Sequence, residues 1–214
     1  MDKRTKDAVR FLGYGKTPMD TRTLLMIQKT FERLETISNQ KYTYQIYDLL
    51  FPKRNELKIC NLHIKSKSLY HNLKGCKQIV VLGATLGVEV DRLINQYEIV
   101  DITHALVAQA CAAVMLEEYC DKMQEEIAQQ LAQENLYLRP RFSPGYGDFS
   151  ILHQKDILAM LEAPKKIGLT MTDGYMLAPT KSVTAVIGVS KTKEPCHQRG
   201  CEECTKVDCM YRRS

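Results

Sequence analysis

The sequence predicts an α+β fold: a single domain with a mixed or antiparallel sheet flanked by helices, followed by a short Cys-rich C-terminal tail. Three observations carry this. Apolar residues recur at steps of three and four over Thr21 to Ser38 and again from Asp101 to about Glu134, the period of an amphipathic helix. The period drops to two over Lys41 to Phe51, where Tyr42, Tyr44 and Ile46 alternate with Thr43, Gln45 and Tyr47, as in a half-buried strand. After Ser190 the composition turns polar and Lys-rich, and this stretch holds four of the eight cysteines. The expected division is therefore a domain over 1–190 and a tail over 191–214.

Each element follows in order. Lys6 to Tyr14 has helical spacing and stops at Gly13-Tyr14-Gly15; Thr17-Pro18-Met19-Asp20 is a turn whose Thr or Asp can cap the helix over Thr21 to Ser38. After the strand over Lys41 to Phe51, Pro52-Lys53-Arg54-Asn55 is a turn, Leu57 to Ile64 a second strand and Ser66 to Leu73 a short helix. Gln78 to Leu82 is a buried strand that enters Gly83-Ala84-Thr85-Leu86-Gly87 and then a helix over Val88 to Tyr97. The Gly-x-x-x-Gly spacing lacks both the dinucleotide fingerprint and the Lys-Ser/Thr of a phosphate loop, so it reads as a packing turn. Asp101 caps the long helix, whose first half is rich in Ala and Cys and whose second half carries Glu117, Glu118, Asp121, Glu125 and Glu126, mostly a solvated face. A short helix over Asp156 to Leu161 and strands over Ile167 to Thr172 and Ser182 to Val189 complete the domain.

Composition narrows the function classes. Hydrophobic residues make up 44% and charged residues 26% of 214 residues, ordinary for a globular protein with a real core. A net charge of +5 without a basic, aromatic-interleaved stripe does not suggest nucleic acid. No run approaches the ~18 apolar residues of a membrane span. The charged start Met1-Asp2-Lys3-Arg4 has no apolar segment behind it, so the expected compartment is the cytoplasm.

Most of the chemistry is in Arg139-Pro140-Arg141-Phe142-Ser143-Pro144-Gly145-Tyr146-Gly147-Asp148-Phe149-Ser150. Two prolines fix φ and two glycines admit φ > 0, which makes a rigid irregular loop. Such loops are good carriers of ligand contacts, although a surface turn with two solvated arginines fits the segment taken alone. The loop is followed by a short helix, then Ile167-Gly168-Leu169-Thr170, then Met176-Leu177-Ala178-Pro179, then Ser182-Val183. That order resembles the S-adenosylmethionine-binding activation domain of cobalamin-dependent methionine synthase, over about Arg139 to Val186.

The resemblance implies a site and a role. Arg141, four residues before Gly145, takes the place of the family's ligand arginine, and a guanidinium grips a carboxylate with two parallel hydrogen bonds. Arg139 is the competing choice, offset from the motif. Gly145 lets ligand and backbone approach, with its N–H or a neighbouring carbonyl bonding polar groups. Tyr146 packs on adenine or ribose, or else anchors the loop to the core. Glu117 is the closest match to the family's acidic residue on the preceding helix, with Glu118 next. The family's tyrosine pair after the last motif strand has no counterpart in Ser190-Lys191-Thr192-Lys193-Glu194-Pro195; that part of the pocket is absent, replaced or supplied by a partner. The implied function is reactivation of a separate cobalamin-dependent methionine synthase or related corrinoid methyltransferase. The partner holds cobalamin, and a flavodoxin-like protein is the expected electron donor. Methyl transfer from a sulfonium needs no general acid or base, so no catalytic residue is expected. The alternative is a metal or iron–sulfur redox module that docks on a corrinoid protein without S-adenosylmethionine.

The tail supplies the second candidate site. Cys196, Cys201, Cys204 and Cys209 are spaced Cys-x4-Cys-x2-Cys-x4-Cys. Four thiolates this close can wrap one zinc ion or one iron–sulfur cluster; free thiols are the other reading. Between zinc and cluster the spacing does not choose.

Overall fold

In a computed structural model, residues 1–14 and 19–192 are described, and statements about the fold refer to these. Helix α1 (Lys3–Phe11) starts where the Asp2 carboxylate accepts from the Thr5 N–H, and α2 (Thr21–Ile37) starts the same way on Asp20 and Thr23. An aspartate at this position satisfies donors that the first helical turn leaves orphaned. Strand β1 (Lys41–Leu50) follows. The segment read as one strand over Leu57 to Ile64 is instead a hairpin, β2 (Glu56–Ile59) and β3 (Leu62–Lys65). Ile59 faces Leu62 across a two-residue turn whose first residue, Cys60, takes φ 51°. A cysteine is an unusual residue there, which is why the alternation looked continuous.

Ser66 caps α3 (Lys67–Leu73). Strand β4 (Gln78–Thr85) runs into α4 (Val88–Val100), and Asp101 caps α5 (Ile102–Ala132). After β5 (Tyr137–Leu138) and the Arg loop, a 3-10 turn at Ile151–His153 leads into α6 (Gln154–Leu161) and α7 (Ala163–Ile167). The expected strand over Ile167 to Thr172 is a correction: Ile167 ends α7, Gly168 closes it at φ 69°, and only β6 (Thr170–Met171) pairs, with β7 (Leu177–Ala178). The glycine read as part of a strand is the helix stop. Strand β8 (Ser182–Ser190) ends the described chain.

The main sheet has the order β3-β2-β1-β4-β8-β5, and every pairing is antiparallel. The expected mixed or antiparallel sheet is thus the antiparallel one. On one face, Ile79, Val81 and Val186 pack under α3, α6 and α7 with Leu73, Phe149, Ile157 and Leu161. On the other, Val80, Leu82, Ile187 and Val189 meet Cys120, Met123 and Ile127 from the second half of α5. The Ala-rich first half of α5 offers Ala108, Cys111 and Ala112 to α1, α2 and α4, with Ile27, Phe31, Leu34 and Ile94. Small side chains on α5 are what let three helices crowd against it. Each large aliphatic buried in these clusters contributes ~1.5–3 kcal/mol. A Cβ on Gly83 would stand 3.1 Å from Leu161 Cδ1, and Gly87 begins α4 at φ 89°. The Gly-x-x-x-Gly segment is therefore a packing turn.

Candidate functional site

The Arg loop is held as an extension of the sheet. The Arg139 N–H donates to the Gly188 carbonyl at 2.8 Å, and Phe142 and Val186 exchange two backbone hydrogen bonds of 2.9 Å each. Pro140 lies between these pairings and has no donor to give. Beyond Phe142 the chain leaves the sheet. Gly145 takes φ 92° and its N–H donates to the Phe149 carbonyl at 2.8 Å; Tyr146 and Phe149 close two further turns. Of the two groups expected to bond a ligand at Gly145, the N–H or a neighbouring carbonyl, the N–H is engaged within the loop by this bond. What the position requires of Gly is its left-handed backbone.

Two residues fasten the loop to the core. Phe149 is buried beside Phe142 and His153. The Asp148 carboxylate accepts from Ser66 Oγ at 2.6 Å, the Lys67 N–H at 2.7 Å and the Ser68 N–H at 3.0 Å, at the N-terminus of α3. These three bonds, the Ser66 hydroxyl first, hold its carboxyl far below the usual carboxylate range. Asp148 was not singled out from the sequence, because its partners lie about eighty positions earlier in the chain.

The two arginines diverge. Arg139 is buried, with its Cγ packed over Gly188 beside Leu73 and Cys76. Arg141 reaches to the other face, to α5. Its Nη1 donates to Gln124 Oε1 at 3.0 Å, and its Nη2 donates to Asp121 Oδ1 at 2.7 Å and to Glu117 Oε2 at 3.1 Å. Residues 117, 121 and 124 are four and seven apart and share one side of the helix. Burial opposes the charge of Arg141, but the hydrogen bond to Asp121 and the surrounding charges outweigh it, so its pKa is raised. The thiol of Cys120, on the buried side of α5, is pushed up to about 12 by burial.

The structure thus brings Arg141 and Glu117 together and separates the competitors. Glu118 turns to the other side of α5 and pairs with Arg4 Nε of α1 at 3.0 Å. Tyr146 is 67% exposed, so it is not a core anchor, and its ring stands free beside the loop. Asp121 and Gln124 were not foreseen; Asp121 read as part of the solvated face, although its spacing from Glu117 pointed to the same side. Cys196, Cys201, Cys204 and Cys209 lie outside the described residues. A cavity of about 630 Å3 between α1 and α2, walled by Arg4, Leu24, Phe31 and Glu35 among others, shares no residue with the Arg141 network. Among the described residues no helix is long and apolar enough to cross a membrane.

No curated protein matches the sequence. The fold is similar to the crystal structure of the MetH reactivation domain bound to AdoHcy, with a TM-score of 0.61, 16% identity, and coverage of 89% of this chain and 77% of that one. The profile of the vitamin B12 dependent methionine synthase activation domain matches residues 70–197. That span includes α5, the Arg loop and β8, and it exceeds half of the 214 residues. The chain therefore belongs to the family of vitamin B12 dependent methionine synthase activation domains.

Proposed function

We propose that the chain binds S-adenosylmethionine at Arg141, Gly145, Tyr146 and Glu117, and supports reductive methylation of the cobalamin of a methionine synthase or related corrinoid methyltransferase. The observation that carries this is the ionic contact between Arg141 and Glu117, on a loop that also carries the exposed Tyr146 and is fixed at both ends. An amino-acid head group presents a carboxylate and an ammonium on one carbon, and an adjacent arginine and glutamate are its complement. Tyr146 offers a flat ring to adenine or ribose.

The reaction has a simple balance. An electron donor, which we take to be flavodoxin-like, returns cob(II)alamin to cob(I)alamin on the partner. The methyl group then leaves sulfur for cobalt, and the C–S bonding pair stays on sulfur. No proton moves, so the residues here position and desolvate and need not titrate. The cobalamin is held by a partner in this proposal. We also propose a cytoplasmic setting, and one zinc ion or iron–sulfur cluster on Cys196, Cys201, Cys204 and Cys209. The test of the binding site is calorimetry with S-adenosylmethionine. Saturable heat that Arg141→Ala removes supports it; no heat with or without a cobalamin-binding partner ends it.

A further inference from the structure

The donors of Arg141 are already committed to α5. A guanidinium has five N–H donors, and it grips a carboxylate two-pronged either through Nε and Nη2 or through Nη1 and Nη2. Nη2 belongs to both grips. Both of its hydrogens are directed to carboxylates of α5: Asp121 Oδ1 at 2.7 Å and Glu117 Oε2 at 3.1 Å. Gln124 Oε1 takes one hydrogen of Nη1 at 3.0 Å. A ligand carboxylate can form a two-pronged bond only after one of the two α5 carboxylates lets go of Nη2.

We infer that Glu117 is the group that lets go, and that Asp121, with Gln124, is the positioning pair that keeps Arg141 aimed while it does. This deepens the proposed function and rests on its reading of Arg141 as the carboxylate-binding residue. Three observations select Glu117. Its bond is the longer of the two. Its side chain has one more rotatable carbon than Asp121, so it can swing without moving α5. Asp121 is one turn further on, with Gln124 beyond it on the same side of the helix, and the two contact separate nitrogens of the fork. Asp121 is itself 70% exposed, so its role is geometric direction, with most of its charge screened by water.

The exchange gives the site a chemical preference. When a ligand carboxylate takes its place on Arg141, Glu117 is released beside the same carbon and can accept from the ligand ammonium. A zwitterionic amino-acid head group satisfies both partners. A ligand with a carboxylate but no ammonium displaces Glu117 and gives it nothing in return. A ligand without a carboxylate leaves the Arg141 network undisturbed.

Calorimetry with three stable probes separates these roles: S-adenosylhomocysteine, its deaminated analogue that keeps the carboxylate, and 5′-methylthioadenosine, which has neither group. Asp121→Ala and Asp121→Asn should each weaken S-adenosylhomocysteine about tenfold and leave 5′-methylthioadenosine unchanged. Glu117→Gln should weaken S-adenosylhomocysteine but tighten the deaminated analogue, because the competitor for Nη2 has lost its charge. Opposite signs at one residue are not produced by a loosened fold. If Asp121 variants bind S-adenosylhomocysteine like the wild type while Arg141→Ala abolishes binding, the positioning role is overturned and the Arg141 site stands. Equal losses for S-adenosylhomocysteine and 5′-methylthioadenosine in the Asp121 variants also overturn it. If Arg141→Ala itself changes nothing, the underlying site is wrong.

Discussion

Arg139 and Arg141, two positions apart on the same extension along β8's edge, serve opposite faces of the sheet. Arg139 lies over Gly188 among Leu73 and Cys76, and Arg141 crosses to Glu117, Asp121 and Gln124 on α5. Plain alternation would leave both on one face; the pairings set Arg139 against Gly188 and Phe142 against Val186, three positions against two, and this bulge of one extra residue turns Arg141 to the other side. It gives packing to the first arginine and leaves the second for the ligand contact proposed above.

The two should therefore fail in different assays. Arg139→Ala removes a buried side chain whose methylenes pack in the core, and should lower stability by ~1–3 kcal/mol. Arg141→Ala should leave the urea midpoint close to that of the wild type. Ligand affinity should respond the other way round, once the Arg139 variant is measured under conditions where it is folded. Equal destabilisation by both would contradict the division.

Asp148 makes a pH prediction. Its folded pKa is depressed by the Ser66 hydroxyl and the Ser68 and Lys67 N–H groups. A depressed carboxyl contributes stability that is complete above the unfolded value of about 4 and is lost as pH falls through the folded value. Asp148→Ala should therefore melt lower than the wild type at pH 7. The gap should narrow as pH drops below about 4. Melting curves between pH 7 and pH 2.5 decide this; a gap that grows toward acid would contradict the anchoring role.

Much of this was legible in the sequence. The helices capped by Asp20 and Asp101 and the strands β1, β4 and β8 announce themselves by period, because each buries one face against one layer. Arg141, Gly145, Tyr146 and Glu117 came from motif order rather than periodicity. What stayed hidden depends on single backbone angles or distant partners. The hairpin at Cys60 turns on one positive φ, and the end of α7 at Gly168 on another. Asp121 reads as a solvent-facing residue of an acidic helix, and Gln124 draws no attention at all, until Arg141 is seen to reach them. Asp148 is explained only by the first turn of α3, far away in sequence.

For the tail, protein purified without oxygen should carry about one zinc, or iron with sulfide, per chain, and Cys201→Ser with Cys204→Ser should remove it. The motivation is the four-thiol spacing from Cys196 to Cys209. Metal-free protein with all four thiols titrating freely would contradict the proposal.

Tyr146 separates stacking from hydrogen bonding. Its ring is exposed beside Gly145, so Tyr146→Phe should bind S-adenosylmethionine better than Tyr146→Ala if the flat ring supplies most of the contact. Titration of the two variants side by side gives the order; equal affinities would leave the ring without a role.

If Arg141 holds the carboxylate of S-adenosylmethionine as proposed, the affinities of the wild type, Arg141→Lys and Arg141→Ala by calorimetry show it most directly. A lost charge-assisted pair is worth ~1.5–3 kcal/mol, roughly ten- to hundredfold in Kd. Lysine, a point charge without a planar fork, should be nearly as weak as alanine. Wild-type affinity in both variants would contradict the account.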